Sequence, residues 1–193
     1  KVAITTLAQI LPLLNNDEMD PESLEDFLMG SLIDIDQEIR QTVLDDDRLS
    51  GMGTTLTAIA LYRDRAYVLH AGDSRAYRLR GKELQQITKD HSVVQELIDS
   101  GAITEAEAAF HPQRSVLTNV LMGQGNITPL LVSYEVKPGD QFLLCSDGLN
   151  TVVSNDEINA ALKGEDAISK LVELTYERGA PDNVTILLAE VGQ

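Results

Sequence analysis

Residues 141–150, QFLLCSDGLN, carry an apolar run into an Asp-Gly step, and residues 180–188, APDNVTILL, open an apolar run with Pro-Asp-Asn. Both runs have the length, composition and flanking turn residues of short strands. Each segment therefore sets one carboxylate, Asp147 or Asp182, at the end of a buried strand. A charge there is costly unless something compensates it. A divalent cation shared by the two acids would do so, because hard ions such as magnesium and manganese take oxygen ligands. The structural alternatives are an ordinary Asp-Gly turn at Asp147 and an Asx-turn at Asp182. Asp73, in HAGDSRAY, is a third acid at a strand end, and a hairpin turn with Arg75 as surface partner is its plain reading.

The composition limits the functions that fit. A chain of 193 residues with 43% hydrophobic side chains is expected to form one domain with a real core. Aromatics make up 4% and Trp is absent, so that core is expected to be largely aliphatic. Acids outnumber bases by 31 to 15, for a net charge of −16, which argues against nucleic acid as a partner. Cys145 is the single cysteine and reads as a small core residue, so there is no disulfide framework and a cytoplasmic setting is expected. No apolar stretch reaches membrane-spanning length. The opening KVAITTLAQILPLL is interrupted by Thr5, Thr6 and Gln9, while Leu7, Ile10, Leu11 and Leu14 share a helical face. It reads as an amphipathic helix rather than a signal peptide.

A second helix is predicted from near Asp20, with Pro21 at its first position and Leu24, Phe27, Leu28, Leu32, Ile35 and Ile39 on one face. The acidic run from Asp45 to Asp47 reads as solvated loop. After Gly53 the period changes: TTLTAIALY, AYVLHAG and AYRLR predict an antiparallel meander. A helix bearing Val93, Val94, Leu97 and Ile98 stops at Gly101, and Thr104 with Glu107 is a capping box for a short helix. PLLVSYEV and QFLLCS are strands joined by Pro138-Gly139-Asp140. Ser154 with Glu157 opens a helix through Leu162, and a last helix carries Ile168, Leu171, Val172 and Thr175 on one side. Helices segregated from strands along the chain indicate an α+β fold with antiparallel sheets.

Taken together and in order, Gly53-Thr54-Thr55, Ala71-Gly72-Asp73-Ser74-Arg75, Lys89-Asp90-His91-Ser92, Ser146-Asp147-Gly148-Leu149 and Pro181-Asp182-Asn183-Val184-Thr185 resemble the type 2C protein phosphatases. These are metal-dependent serine/threonine phosphatases, and the bacterial branch is the most similar. The resemblance runs from about Met52 to Val191 and continues more loosely into the preceding helices. It implies an antiparallel β-sandwich flanked by antiparallel helix pairs, as a single domain over residues 1–193. It also implies two magnesium or manganese ions, with Asp147 and Asp182 as direct ligands and Asp73 as an acid of a third, weaker metal. Residues 91–119 match the family's flap subdomain, which influences substrate choice. His91 and His111 then read as structural flap residues, and His70 as a strand residue with a satisfied ring nitrogen. The substrate implied is a phosphoprotein, with no nucleic acid or membrane partner.

The chemistry agrees with these residue types. Two ions about 3.5–4 Å apart can clamp the attacking and leaving oxygens of an in-line phosphoryl displacement. Aspartates orient such ions without competing as nucleophiles, and no Cys-x5-Arg signature is needed.

The chain departs from the family at two places. The family's upstream Asp-Gly-Met-Gly-Gly, an earlier Asn-Glu-Asp and a phosphate-gripping Arg have no counterpart here, so the match is N-terminally incomplete and Lys1 falls in what resembles the following helix. Asp147, Asp182 and Asp73 alone would hold metal weakly, and a sheet lacking its first strands would keep an unpaired edge. The expectation is that an upstream segment completes fold and site. Joining such a segment should restore manganese-dependent hydrolysis of a phosphopeptide, and continued inactivity would refute it. Second, Thr151 stands where the family often has an acid, so a third metal loses a ligand. The rival reading is a non-catalytic phosphatase-fold module that binds or regulates a partner. Retention of all three acids favours the enzyme, while the missing upstream acids favour the rival for this chain as it stands.

Overall fold

The structure is a computed structural model that describes residues 2–8, 19–128 and 130–192. In chain order the elements begin with α1 (Val2–Ala8), α2 (Pro21–Asp45), a 3-10 turn (Asp47–Leu49), β1 (Leu56–Tyr62), β2 (Arg65–Ala71), β3 (Arg75–Arg80) and β4 (Glu83–Gln86). Then follow α3 (Val93–Asp99), α4 (Glu105–Ala108), β5 (Leu130–Glu135), β6 (Gln141–Cys145), α5 (Asp147–Asn150), α6 (Asn155–Leu162), α7 (Ala167–Glu177) and β7 (Ile186–Glu190). The chain divides into two units: Lys1–Gly72 with His91–Glu135, and Asp73–Asp90 with Val136–Gln193. Among the described residues no helix is long and apolar enough to cross a membrane.

In the first unit, Asp20 caps α2 by accepting from Ser23 N at 2.9 Å, and Pro21 takes the first turn, where its missing N–H costs nothing. Leu24, Leu28, Leu32, Ile35 and Ile39 recur at helical spacing and are buried against Leu56, Tyr62, Tyr67, Leu69 and Ala71 of the sheet β1-β2-β5. Each fully buried side chain of this kind contributes about 1.5–3 kcal/mol. Phe27 was expected on that face but is 37% exposed, at the flank of a stripe that the leucines and isoleucines already fill. Ile10, Leu11 and Leu14, predicted for the first helix, lie outside the described residues. Asp36 is the polar exception within α2. Its buried carboxylate accepts from the backbone N–H groups of Met122 and Gly123 on one oxygen and of Gly125 on the other, so its charge is met by peptide dipoles. The acidic run after α2 is not plain loop: α2 includes Asp45, and Asp46 caps the 3-10 turn through Arg48 N.

The second unit holds the sheet β4-β3-β6-β7, antiparallel throughout. One face, with Tyr77, Leu79, Leu143 and Cys145, is covered by Leu149, Val153, Ile158, Leu162 and Leu171 from α5 to α7. Both predicted capping boxes are present, Thr104 with Glu107 and Ser154 with Glu157. Leu171 and Thr175 are buried on α7 as expected, but Ile168 is 41% exposed and Ala167 takes the buried position beside them.

The predicted meander is broken between its second and third strands. β2 pairs with β1 and β5, whereas β3 pairs with β4 and β6, so consecutive strands β2 and β3 belong to different sheets. The break falls at Gly72, whose φ of +114° and close approach to the Thr55 side chain admit no Cβ. Likewise β5 and β6, although joined by the Pro138-Gly139-Asp140 turn, pair in different sheets. β4, short and half-polar, carried no clear strand signal of its own.

The turn before β6 is locked by charge. Asp140, 1% exposed, accepts from Arg80 Nε at 2.7 Å and Nη2 at 2.6 Å, and from Lys137 N at 2.8 Å. The Arg80 hydrogen bonds hold its carboxyl below the usual range. A depressed carboxylate stabilises the fold fully above its unfolded value, about pH 4, and that contribution is lost as pH falls through the lower folded value. Asp140→Asn is therefore expected to cost roughly 2–4 kcal/mol at pH 7, since it leaves Arg80 without its anion. The gap from wild type in chemical denaturation should close as the buffer is acidified below about pH 4.

Candidate functional site

Asp73, Asp147 and Asp182 all fall in the second unit. Asp73 follows Gly72 at the β2–β3 break, half-buried. Asp147 is the first residue of α5, directly after β6, and is also half-buried. Asp182 differs from the sequence expectation. Pro181, Asp182 and Asn183 are exposed, and β7 begins only at Ile186, so this carboxylate does not sit at a buried strand end. Its Oδ1 accepts from Asn183 N at 2.6 Å.

The turns carrying Asp147 and Asp182 are nevertheless stitched together. The β6–β7 ladder ends at Cys145 opposite Ile186, and backbone pairing continues as Ser146 N donates to Thr185 O at 3.1 Å. Ser146 Oγ donates to Asn183 O at 3.2 Å and accepts from Thr185 N at 3.0 Å. Gly148 lies so close to Asn183 that a Cβ there would collide with its carbonyl oxygen. Any larger residue would part the two acid-bearing turns. Thr151 ends α5, its N–H donating to Asp147 O.

The electrostatics single out Asp73. Burial, and next the neighbouring charge of Asp147, raise its carboxyl above the ordinary range. Arg75, two residues on, is turned to Asp90: Nε to Oδ1 and Nη2 to Oδ2, both at 2.8 Å. Burial works against that guanidinium, but its hydrogen bonds to Asp90 outweigh this and keep it firmly protonated. Burial pushes the Cys145 thiol up to about 11, which leaves it inert at neutral pH. Among the described residues, no three His, Cys, Asp or Glu side chains converge as a group able to hold a metal ion.

The histidines have structural partners. His70 is fully buried in β2 with Nδ1 2.9 Å from Thr57 Oγ1. His91 Nδ1 accepts from Gly72 N at 3.2 Å and lies 3.1 Å from Asn119 Nδ2. His111 Nδ1 accepts from Gln113 N. Sequence reasoning missed Ser146, Gly148 and Asn183 as the seam between the acidic turns, and the Arg75–Asp90 pair. No periodicity marks such contacts. Only the adjacency of Ser146 and Gly148 to Asp147, and of Asn183 to Asp182, hinted at them.

The sequence pattern of the family described as protein phosphatase 2C matches residues 1–190. The chain belongs to the protein phosphatase 2C family. Serine/threonine protein phosphatase PstP of Mycobacterium tuberculosis is 48% identical over 146 residues, 74% of this chain and 28% of PstP. The chain thus spans less than a third of that relative's length. Serine/threonine phosphatase stp of Listeria monocytogenes is 32% identical over 173 residues, 88% of this chain and 69% of stp. Among solved structures, the M. tuberculosis phosphatase PstP/Ppp superposes with a TM-score of 0.86 at 40% identity, covering 100% of this chain and 80% of that one. The PstP catalytic domain in complex with 2 manganese ions gives 0.86 at 37% identity, with the same coverage. The antiparallel sheets with helices expected from the sequence are those of this type 2C phosphatase fold.

The raised carboxyl of Asp73 has a measurable consequence. An acid whose folded value exceeds its unfolded one costs nothing at low pH, and that cost appears as pH rises through the folded value. In the chelated protein, Asp73→Asn should melt at a higher temperature than wild type at pH 7. The difference should vanish near pH 3, as differential scanning calorimetry would show.

Proposed function

We propose that this protein hydrolyses phosphoserine and phosphothreonine in other proteins, with bound magnesium or manganese and without a covalent phosphoenzyme. The observation that carries this reading is the half-buried Asp73 beside the charge of Asp147, on a turn held tightly against that of Asp182. Two like charges in partial burial repel, and a divalent cation relieves that repulsion while satisfying an all-oxygen donor set. This fits the hard ions that the family uses. Asp73 and Asp147 would supply ligands, with Asp182 on the adjoining turn, and further oxygen donors would have to complete the set, because no three such side chains converge among the described residues. When bound, such ions lower the pKa of water and polarise a phosphoryl oxygen.

The residues of the chain do the rest. Gly148 and Ser146 keep the Asp147 and Asp182 turns in register, so that the backbone of both turns is set before ligand arrives. Cys145, buried with a raised thiol, does not act as a nucleophile. Residues 1–193 serve as one phosphatase domain, with residues 91–119 as a flap that influences substrate choice. The flap role draws support from the two short capped helices α3 and α4 and from Phe110, 88% exposed just after α4. The substrates are phosphoproteins and the setting is the cytoplasm, in keeping with a single, reduced and buried cysteine.

A second reading is a non-catalytic module that binds phosphoprotein. The exposure of Asp182 and its local hydrogen bond to Asn183 favour it. Phosphate release from a phosphothreonine peptide, measured on the chain joined to an upstream segment carrying the family's Asp-Gly-Met-Gly-Gly, separates the two. The phosphatase reading expects turnover that requires manganese, stops on chelation and falls to the chelated level in Asp147→Asn. Peptide binding without turnover at saturating manganese would establish the module instead.

A further inference from the structure

Arg75 is the cation nearest in sequence to Asp73, and its pull on that carboxylate is smaller than the push from Asp147. The reason is geometric. Its guanidinium is gripped by Asp90 in a two-point fork, with both N–O distances 2.8 Å, and its remaining nitrogen, Nη1, faces Tyr77 Oη at 3.5 Å. The pair is well shielded, with side chains 26% exposed for Arg75 and 13% for Asp90. Asp90 is itself held in place by its own segment. Ile87 N donates to Ala76 O at 2.8 Å, and Ala76 N donates to Thr88 Oγ1 at 2.9 Å, which continues the edge of β3 toward Asp90. A planar guanidinium bound at two points has one orientation, unlike an ammonium on a flexible stem.

Asp90 thus occupies the charge that would otherwise neutralise the acid pair. Without it, the acid on which the charge of Arg75 already acts is Asp73, and a contact there would place a positive charge where a divalent cation is to bind. We propose that Asp90 is a positioning residue for the metal site: it holds Arg75 away from Asp73 and Asp147, so that the acid pair keeps its negative charge for a divalent cation. This rests on the reading that Asp73 and Asp147 take such a cation. It assigns Asp90 no contact with metal or substrate.

Manganese affinity measured by isothermal titration calorimetry tests it, with circular dichroism and melting curves on every variant. Asp90→Asn frees the guanidinium and is expected to weaken manganese binding on the order of tenfold. The double variant Arg75→Gln/Asp90→Asn has no cation to misplace and should return close to wild-type affinity. It is no better packed than Asp90→Asn, so recovery does not follow from a purely structural role. Should Asp90→Asn fail to fold, Arg75→Gln alone supplies the answer, since it should bind manganese at least as tightly as wild type. Unchanged affinity in Asp90→Asn, a double variant as weak as the single, or a loss in Arg75→Gln would each overturn the inference. Asp147→Asn separates the two levels. If wild type binds, Asp147→Asn does not and Asp90→Asn binds normally, only the role of Asp90 falls; if wild type binds no manganese, the metal reading falls with it.

Discussion

The burial of Asp73 beside the charge of Asp147 is the constraint on which the candidate site depends. A carboxylate that is half-buried and faces another negative charge is an unfavourable thing to build, and a fold retains it only if surrounding contacts over-determine its position. The second unit supplies those contacts. Asp73 leaves the end of β2 and enters β3, Asp147 leaves β6, and β3 and β6 are neighbours in one antiparallel ladder. Arg75 opposite Cys145 is the last pair of that ladder, so both acids emerge at the same end of the same two strands. Their proximity is a consequence of register rather than of any attraction between them.

Several charges in the molecule follow one logic. Asp36 is met by three backbone N–H groups, Asp140 by Arg80 and the Lys137 amide, and Asp90 by Arg75. Each of these three acids has its compensation in the polypeptide. Asp73 stands apart because its strongest charged neighbour is another acid, and this asymmetry is the physical basis for placing a cation there. The strong negative charge of the chain as a whole adds little to that argument, since most of it is solvated surface.

Helix ends were the most legible part of the sequence. Asp20-Pro21, Thr104 with Glu107 and Ser154 with Glu157 each satisfy orphan N–H groups within a few residues, so the signal and the structure are both local. Apolar periodicity placed the buried stripe of α2 for the same reason. It misjudged Phe27 and Ile168 because a helical wheel shows which residues share a side, while the width of the neighbouring surface decides how many of them are covered.

By itself the sequence determined which segments are helices and strands, that they form an α+β family fold, and which acids are candidates for chemistry. Those properties depend on spacing, capping and the order of short motifs, all carried within a few residues. Only the tertiary structure decided which strands pair, that β2 and β3 part company at Gly72, and that Asp182 is exposed while Asp73 is not. It alone set Gly148 against Asn183 and Arg75 in the grip of Asp90. These are contacts between residues distant in sequence, governed by excluded volume and by charge at a few ångströms, and neither leaves a local pattern to read.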